Sequence, residues 1–170
     1  MAIDHTGIEI STASHAETVK AYQAALAPLG YKVKLSFGGE NQDMPEAPGV
    51  IGTGLGECAP DFWIISLPTI VTAHPTHFAF SASTRKVVRE VYEAAMKAGF
   101  TSNGEPGVRA QYHASYYGAF FKDQHQNRVE VVCHTPAYID AVKTAIPGSP
   151  GIMASVSAVV AAVGYYFIYC

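Results

Sequence analysis

The sequence predicts an α+β fold: two paired βαβββ modules, followed by a C-terminal hydrophobic helix. Three observations carry this. First, "HTGIEISTASHAETVKAYQAALAPLGYKV" from His5 and "HFAFSASTRKVVREVYEAAMKAGFTS" from His77 repeat one pattern. Each runs from a histidine through a short alternating strand, a Ser/Thr-rich turn and an amphipathic helix to a glycine and an aromatic. Second, three strand-like runs follow each helix. Third, halves of about 70 residues cannot each bury both faces of a four-stranded sheet, so they should share a core.

In the first strand Ile8 and Ile10 take one face, while His5, Gly7 and Glu9 take the other. Ser14 with Glu17 three residues on reads as a capping box for the first helix. Val19, Tyr22, Ala25 and Leu26 form that helix's apolar face. Strand-like runs follow at 31–37, 49–54 and 61–67. In the repeat, Phe78 and Phe80 share a strand face opposite His77, Ala79 and Ser81. Ser83 or Thr84 caps the second helix, whose apolar face is Val87, Val91, Ala94 and Ala95. A weak strand over 102–111 precedes "SYYGAFFKD" (115–123) and "NRVEVVCH" (127–134), which "DQHQN" joins as a hairpin. The domain so defined spans 1–137, with modules at 3–68 and 75–135, and 138–150 reads as a linker.

The last segment is different. After Lys143 no charged residue occurs, and "GIMASVSAVVAAVGYYFIYC" (151–170) is apolar and closed by aromatics. Twenty helical residues rise roughly 30 Å, the thickness of a hydrocarbon core. One reading is a membrane anchor holding a cytoplasmic-facing domain; the other is an apolar helix packed on the domain or a partner chain. The 170 residues are 49% hydrophobic and carry a net charge of −3, which excludes a disordered chain. No basic run points to nucleic acid. Cys58, Cys133 and Cys170 form neither a disulfide framework nor a zinc motif. Cys133 has the parity of Val129 and Val131 and belongs to the core.

The strand faces turned away from the helices gather polar groups. His5, His77 and Glu130 share that parity and would meet if the sheets curl. Two imidazoles and a carboxylate suit Fe, Mn, Zn, Ni or Co and leave open positions on the metal. A lone strand histidine is otherwise an ordinary hydrogen-bonded residue.

"APLGYK" (27–32), "PDFWI" (60–64), "THFAF" (76–80) and "NGEPGVRAQYHASYYGAFFKDQHQNRVEVVCH" (103–134) together resemble the vicinal oxygen chelate superfamily. That superfamily holds glyoxalase I, bleomycin-resistance proteins, fosfomycin-resistance enzymes and extradiol dioxygenases. The resemblance covers residues 3–135. It implies paired modules forming a curved mixed sheet around a metal-bearing cleft, with ligands at His5, His77 and Glu130. It also implies a small-molecule substrate and a homodimer. "DQHQN" departs from the usual Pro-Asp-Gly turn, and His125 in it reads as a solvated turn residue. Where glyoxalase I has a fourth ligand, this chain has Trp63, which favours a three-ligand site.

Around that cleft His113 is the expected acid/base, and Arg109 an anion clamp. Tyr116 and Tyr117 are adjacent, so one should face substrate while the other packs. Trp63 is either an apolar cleft wall or core. His74 and His134 flank strands and carry no strong signal. The function implied is a glyoxalase- or dioxygenase-like metalloenzyme that chelates substrate. The alternative is a metal-free sequestering protein of the bleomycin-resistance type.

Overall fold

A computed structural model describes residues 4–38, 49–68 and 74–145. Module one comprises β1 (Thr6–Ser11), α1 (His15–Leu26), β2 (Lys32–Phe37), β3 (Ile51–Gly56) and β4 (Phe62–Leu67). Module two comprises β5 (His77–Ser81), α2 (Arg85–Lys97), β6 (Thr101–Val108), β7 (Tyr117–Lys122) and β8 (Arg128–Cys133). Each module keeps its own four-stranded sheet, ordered β1-β4-β3-β2 and β5-β8-β7-β6. The opening strand lies parallel to the closing one, and the other pairs are antiparallel.

The helices end alike. Gly30 (φ 80°) and Gly99 (φ 92°) take the left-handed conformation that ends a helix without a Cβ clash. The amides of Tyr31 and Phe100 then reach back five residues to Leu26 and Ala95. The following aromatics turn into the core. Tyr31 meets Phe80 edge-on, and Phe100 meets Tyr22 and Phe121. The helix starts differ. Thr84 Oγ1 accepts from the Val87 amide at 3.2 Å, so Thr84 is the α2 cap. The capping box expected at Ser14 does not form. A 3₁₀ turn (Thr12–Ser14) leads into α1, and the Thr18 hydroxyl donates to the Ser14 carbonyl instead. Helix α2 buries Val88, Val91 and Ala95, while Val87 and Ala94 are only partly covered.

One core serves both modules. Phe62 from β4 packs tilted against Phe78 and edge-on against Phe80 from β5, with Tyr22 of α1 beside them. Cys133 is fully buried in the same cluster. The "DQHQN" turn is no free surface loop. Buried Asp123 accepts from the Tyr22 hydroxyl at 2.7 Å, from the amides of His125 and Asn127, and from Asn127 Nδ2. His125 Nε2 lies 2.9 Å from Thr18 Oγ1, so this histidine, expected in solvent, bonds α1 of the other module. Each sheet therefore buries one face in the shared core and leaves its other face outside it.

Residues 137–145, read partly as linker, form helix α3 (Ala137–Ala145). Its Asp140 carboxylate accepts from the Arg85 amide at the start of α2. Among the described residues no helix is long and apolar enough to cross a membrane. The 151–170 segment lies outside the described residues.

Candidate functional site

The outer face of sheet two carries the polar cluster. In β8, Glu130 alternates outward between core residues Val129 and Val131; it pairs with Ala79 of β5 and Phe120 of β7. Its side chain is only 4% exposed. One carboxylate oxygen accepts from the Tyr116 hydroxyl. The other lies 3.5 Å from His77 Nε2. Gly118 makes room: a Cβ there would stand 3.2 Å from the carboxylate and 3.3 Å from the Tyr116 ring. Desolvation, then the hydrogen bond and charge of Glu130, push the Tyr116 phenol well above its ordinary pKa, so it stays protonated.

The His77 tautomer follows from its partners. Nδ1 lies 3.1 Å from the Arg128 carbonyl, which can only accept. Nδ1 thus carries the proton in the neutral ring, and the Nε2 lone pair faces the Glu130 carboxylate. Across 3.5 Å this pair is satisfied either by a proton on Nε2, which makes an ion pair with the carboxylate, or by a metal ion beside the two groups. A metal ion fits this donor set, since an imidazole anchored to a backbone carbonyl through its other nitrogen is the usual ligand arrangement.

The outer face of sheet one forms a groove of about 590 Å³ lined by His5, Glu9, Phe37, Pro60, Trp63 and Ile65. Alternation puts Trp63 on this face, beside Gly7 of β1 and Gly54 of β3. Trp63 and Phe37 lie 5.8 Å apart over a glycine floor. A Cβ on Gly54 would come 3.0 Å from the Trp63 ring, and one on Gly52 would overlap Phe37. His5 is exposed at the groove's edge, with Nδ1 2.8 Å from Asp4.

The remaining expected residues divide by face. Tyr116 reaches Glu130, while Tyr117 lies under the Arg85 guanidinium, 5.0 Å from its ring, and 3.5 Å from Arg89. Arg109 sits 5.3 Å above Phe120 and donates to the Glu105 carbonyl at 2.6 Å. Both ring nitrogens of His113 are engaged, Nδ1 by the Ser115 amide at 3.2 Å and Nε2 by His134 Nδ1 at 2.9 Å. The chain thus brings His77, Glu130 and Tyr116 together, with His113 beside Tyr116. His5 and Trp63 belong to the other groove. Among the described residues, no three His, Cys, Asp or Glu side chains converge to hold a metal ion. Sequence reasoning passed over His134 and Phe37. His134 continues the parity of Glu130 and Val132, and Phe37 that of Leu35, so alternation could have found both.

No family model matches the sequence, and no curated protein does. Solved structures do match. A glyoxalase/bleomycin resistance protein from Albidiferax ferrireducens aligns at 16% identity and TM-score 0.57, over 78% of this chain and 99% of that one. Glyoxalase I of Leishmania major aligns at 16% identity and TM-score 0.51, over 97% and 99% of the two chains. Glyoxalase I of Zea mays aligns at 18% identity and TM-score 0.55 over 76% of this chain, which spans 43% of the maize one. The chain has the vicinal oxygen chelate fold, shared with glyoxalase/bleomycin resistance/dioxygenase structures.

Proposed function

We propose that the protein is a glyoxalase- or dioxygenase-like enzyme whose divalent metal is held by His77 and Glu130 of one copy and His5 of a second. The observation that carries this is His77 Nε2 lying 3.5 Å from the buried Glu130 carboxylate while its Nδ1 is held by the Arg128 carbonyl. A second copy is invoked because His5 lies in the module-one groove rather than beside that pair. A C2 dimer that laid this groove over sheet two of its partner would give each site all three donors. Bound there, the metal would offer open positions to two adjacent oxygens of a small molecule and act as a Lewis acid. The chain's own groups have separate tasks. Tyr116 donates to Glu130 and fixes the carboxylate. Trp63 and Phe37 supply an apolar wall that excludes water from the substrate's carbon skeleton.

Elemental analysis of the full chain tests this. One divalent ion per chain is expected, absent from His5→Ala and from His77→Ala. Unfolding the two variants together and refolding them should restore about a quarter of the wild-type metal, because a mixed dimer holds one intact site. No metal in the wild type, after anaerobic loading with Fe, Mn, Zn, Ni or Co, overturns the reading. Metal that the mixture fails to restore overturns the shared site. The Trp63–Phe37 groove also supports the metal-free reading, in which an apolar molecule is simply sequestered. That reading predicts ligand quenching of the single tryptophan, unaffected by chelator or by His77→Ala.

A further inference from the structure

Above Tyr116 lies a hydrogen-bond chain with a fixed direction. The Ser115 amide can only donate, and it points at His113 Nδ1 from 3.2 Å. His113 Nδ1 is therefore the acceptor nitrogen, and the ring's proton is on Nε2. That Nε2–H meets His134 Nδ1 at 2.9 Å. His134 must accept there, so its own proton is on Nε2. Three N–H groups thus point the same way, each bond polarising the next. The chain ends in the Nε2–H of an exposed imidazole.

The surroundings hold this arrangement. The imidazoles lie end to end, with centroids 5.2 Å apart and planes 26° from parallel, as an in-plane N–H···N bond requires. Tyr116 meets both edge-on, at 5.3 Å and 5.1 Å. The Tyr116 amide donates to the His113 carbonyl, closing a turn that also brings the Ser115 amide over the ring. Tyr116 therefore spans the distance between the two groups, with its hydroxyl on Glu130 and its flank against the histidines. His134 follows the end of β8 with the parity of Glu130 and Val132, and the Tyr116 side chain bridges it to the Glu130 carboxylate.

We propose that His113 and His134 form a second binding point, a hydrogen-bond donor for a carboxylate or phosphate-type oxygen at the far end of the substrate. His134 makes the contact, and His113 is a positioning residue that fixes its tautomer. The pair selects for length: a substrate whose reacting end sits at Glu130 is gripped only if an acceptor oxygen reaches past the Tyr116 ring to His134. As a subsite of the enzyme, this rests on the metal-site reading. The donor chain itself is built without His5, His77 or Glu130.

The test is NMR of the full chain with ¹⁵N-labelled histidine, using inorganic phosphate as the probe. Both rings should carry the proton on Nε2, and phosphate should move the His134 Nε2–H resonance in a saturable way. His113→Ala should free the His134 tautomer and weaken phosphate binding up to about twofold, because the Nε2–H form then shares the population with the other tautomer. His77→Ala should leave both readouts unchanged, which separates this site from the metal. Both histidines are exposed, so their replacement leaves the core intact. A His134 ring protonated on Nδ1, an unmoved resonance, or equal binding in His113→Ala overturns the proposal.

Discussion

At the residue scale, the cluster on sheet two shows how one strand position separates two roles. Tyr116 and Tyr117 are chemically identical, but one bonds Glu130 and the other supports α2. Tyr116→Phe removes the hydroxyl that donates to the carboxylate and should weaken metal affinity 10–100-fold, roughly the effect of losing a partner that orients a ligand. Isothermal titration with the metal found by elemental analysis reads this, and Tyr117→Phe should change it little. Sequence alternation showed that only one of the two could face outward. It could not choose, because Tyr116 precedes β7 and its direction comes from the 113–116 turn. His15 makes a second prediction. It is buried against β3, bonded through Nε2 to Thr53 at 2.9 Å, and its Nδ1 has no partner among the described residues. Burial lowers its pKa from 6.5. The unfolded chain then takes up this proton at a higher pH than the folded one. Stability from neutral His15 is present above about pH 6.5 and is lost as pH falls below it. Urea midpoints at about pH 7.5 and about pH 5.5 should differ less in His15→Gln than in the wild type. Equal differences would remove His15 from the account.

At the element scale, the repeat was the most legible feature. The strand–helix–glycine–aromatic order fixes both module openings, and the structure ends both helices with the same reverse bond. Gly99 isolates the energetics of that ending. Its φ is 92°, and an added Cβ would meet nothing within 4 Å. Gly99→Ala should therefore destabilise through backbone conformation alone, by about 1–2 kcal/mol. In a chain of this size each kcal/mol lowers Tm by roughly 2–4 °C. A scanning calorimetry trace showing no drop would contradict this. The strand with the faintest signal is β6, because "TSNGEPGV" has four residues disfavoured in strands, Asn103, Gly104, Pro106 and Gly107, and two register shifts along its edge. Pairing to β7 overrides its propensity. The capping box at Ser14 failed for a related reason: the 3₁₀ turn before α1 occupies the backbone that the box would need.

At the scale of the whole molecule, the two modules behave as one folding unit. Phe62, Phe78, Phe80 and Tyr22 close a core that neither module can close alone. The Tyr22–Asp123 bond crosses it, with the phenol pushed well above its ordinary pKa by burial and then by Asp123. Tyr22→Phe should cost about 1.5–3 kcal/mol, the value of a bond to a charged acceptor. Unfolding should remain a single transition; two transitions would mean the modules fold separately. Parity showed which faces carry His5, His77 and Glu130. It could not show which outer faces meet, since alternation describes a strand and says nothing of how two sheets stack.

The glycine floor of module one has a consequence for how such a protein changes over generations. In β3 the residues Ile51, Thr53 and Leu55 face the core, while Gly52 and Gly54 lie under Phe37 and Trp63. A side chain at Gly52 would push on the Phe37 ring, and one at Gly54 first on Pro60 and then on the Trp63 ring, all walls of the recess rather than of the buried layer behind it. Gly56 lacks that freedom, because the Ala59 carbonyl blocks its Cβ position. Two codons therefore act as a depth adjustment for the recess, so selection can retune which molecules fit while the scaffold stays as it is.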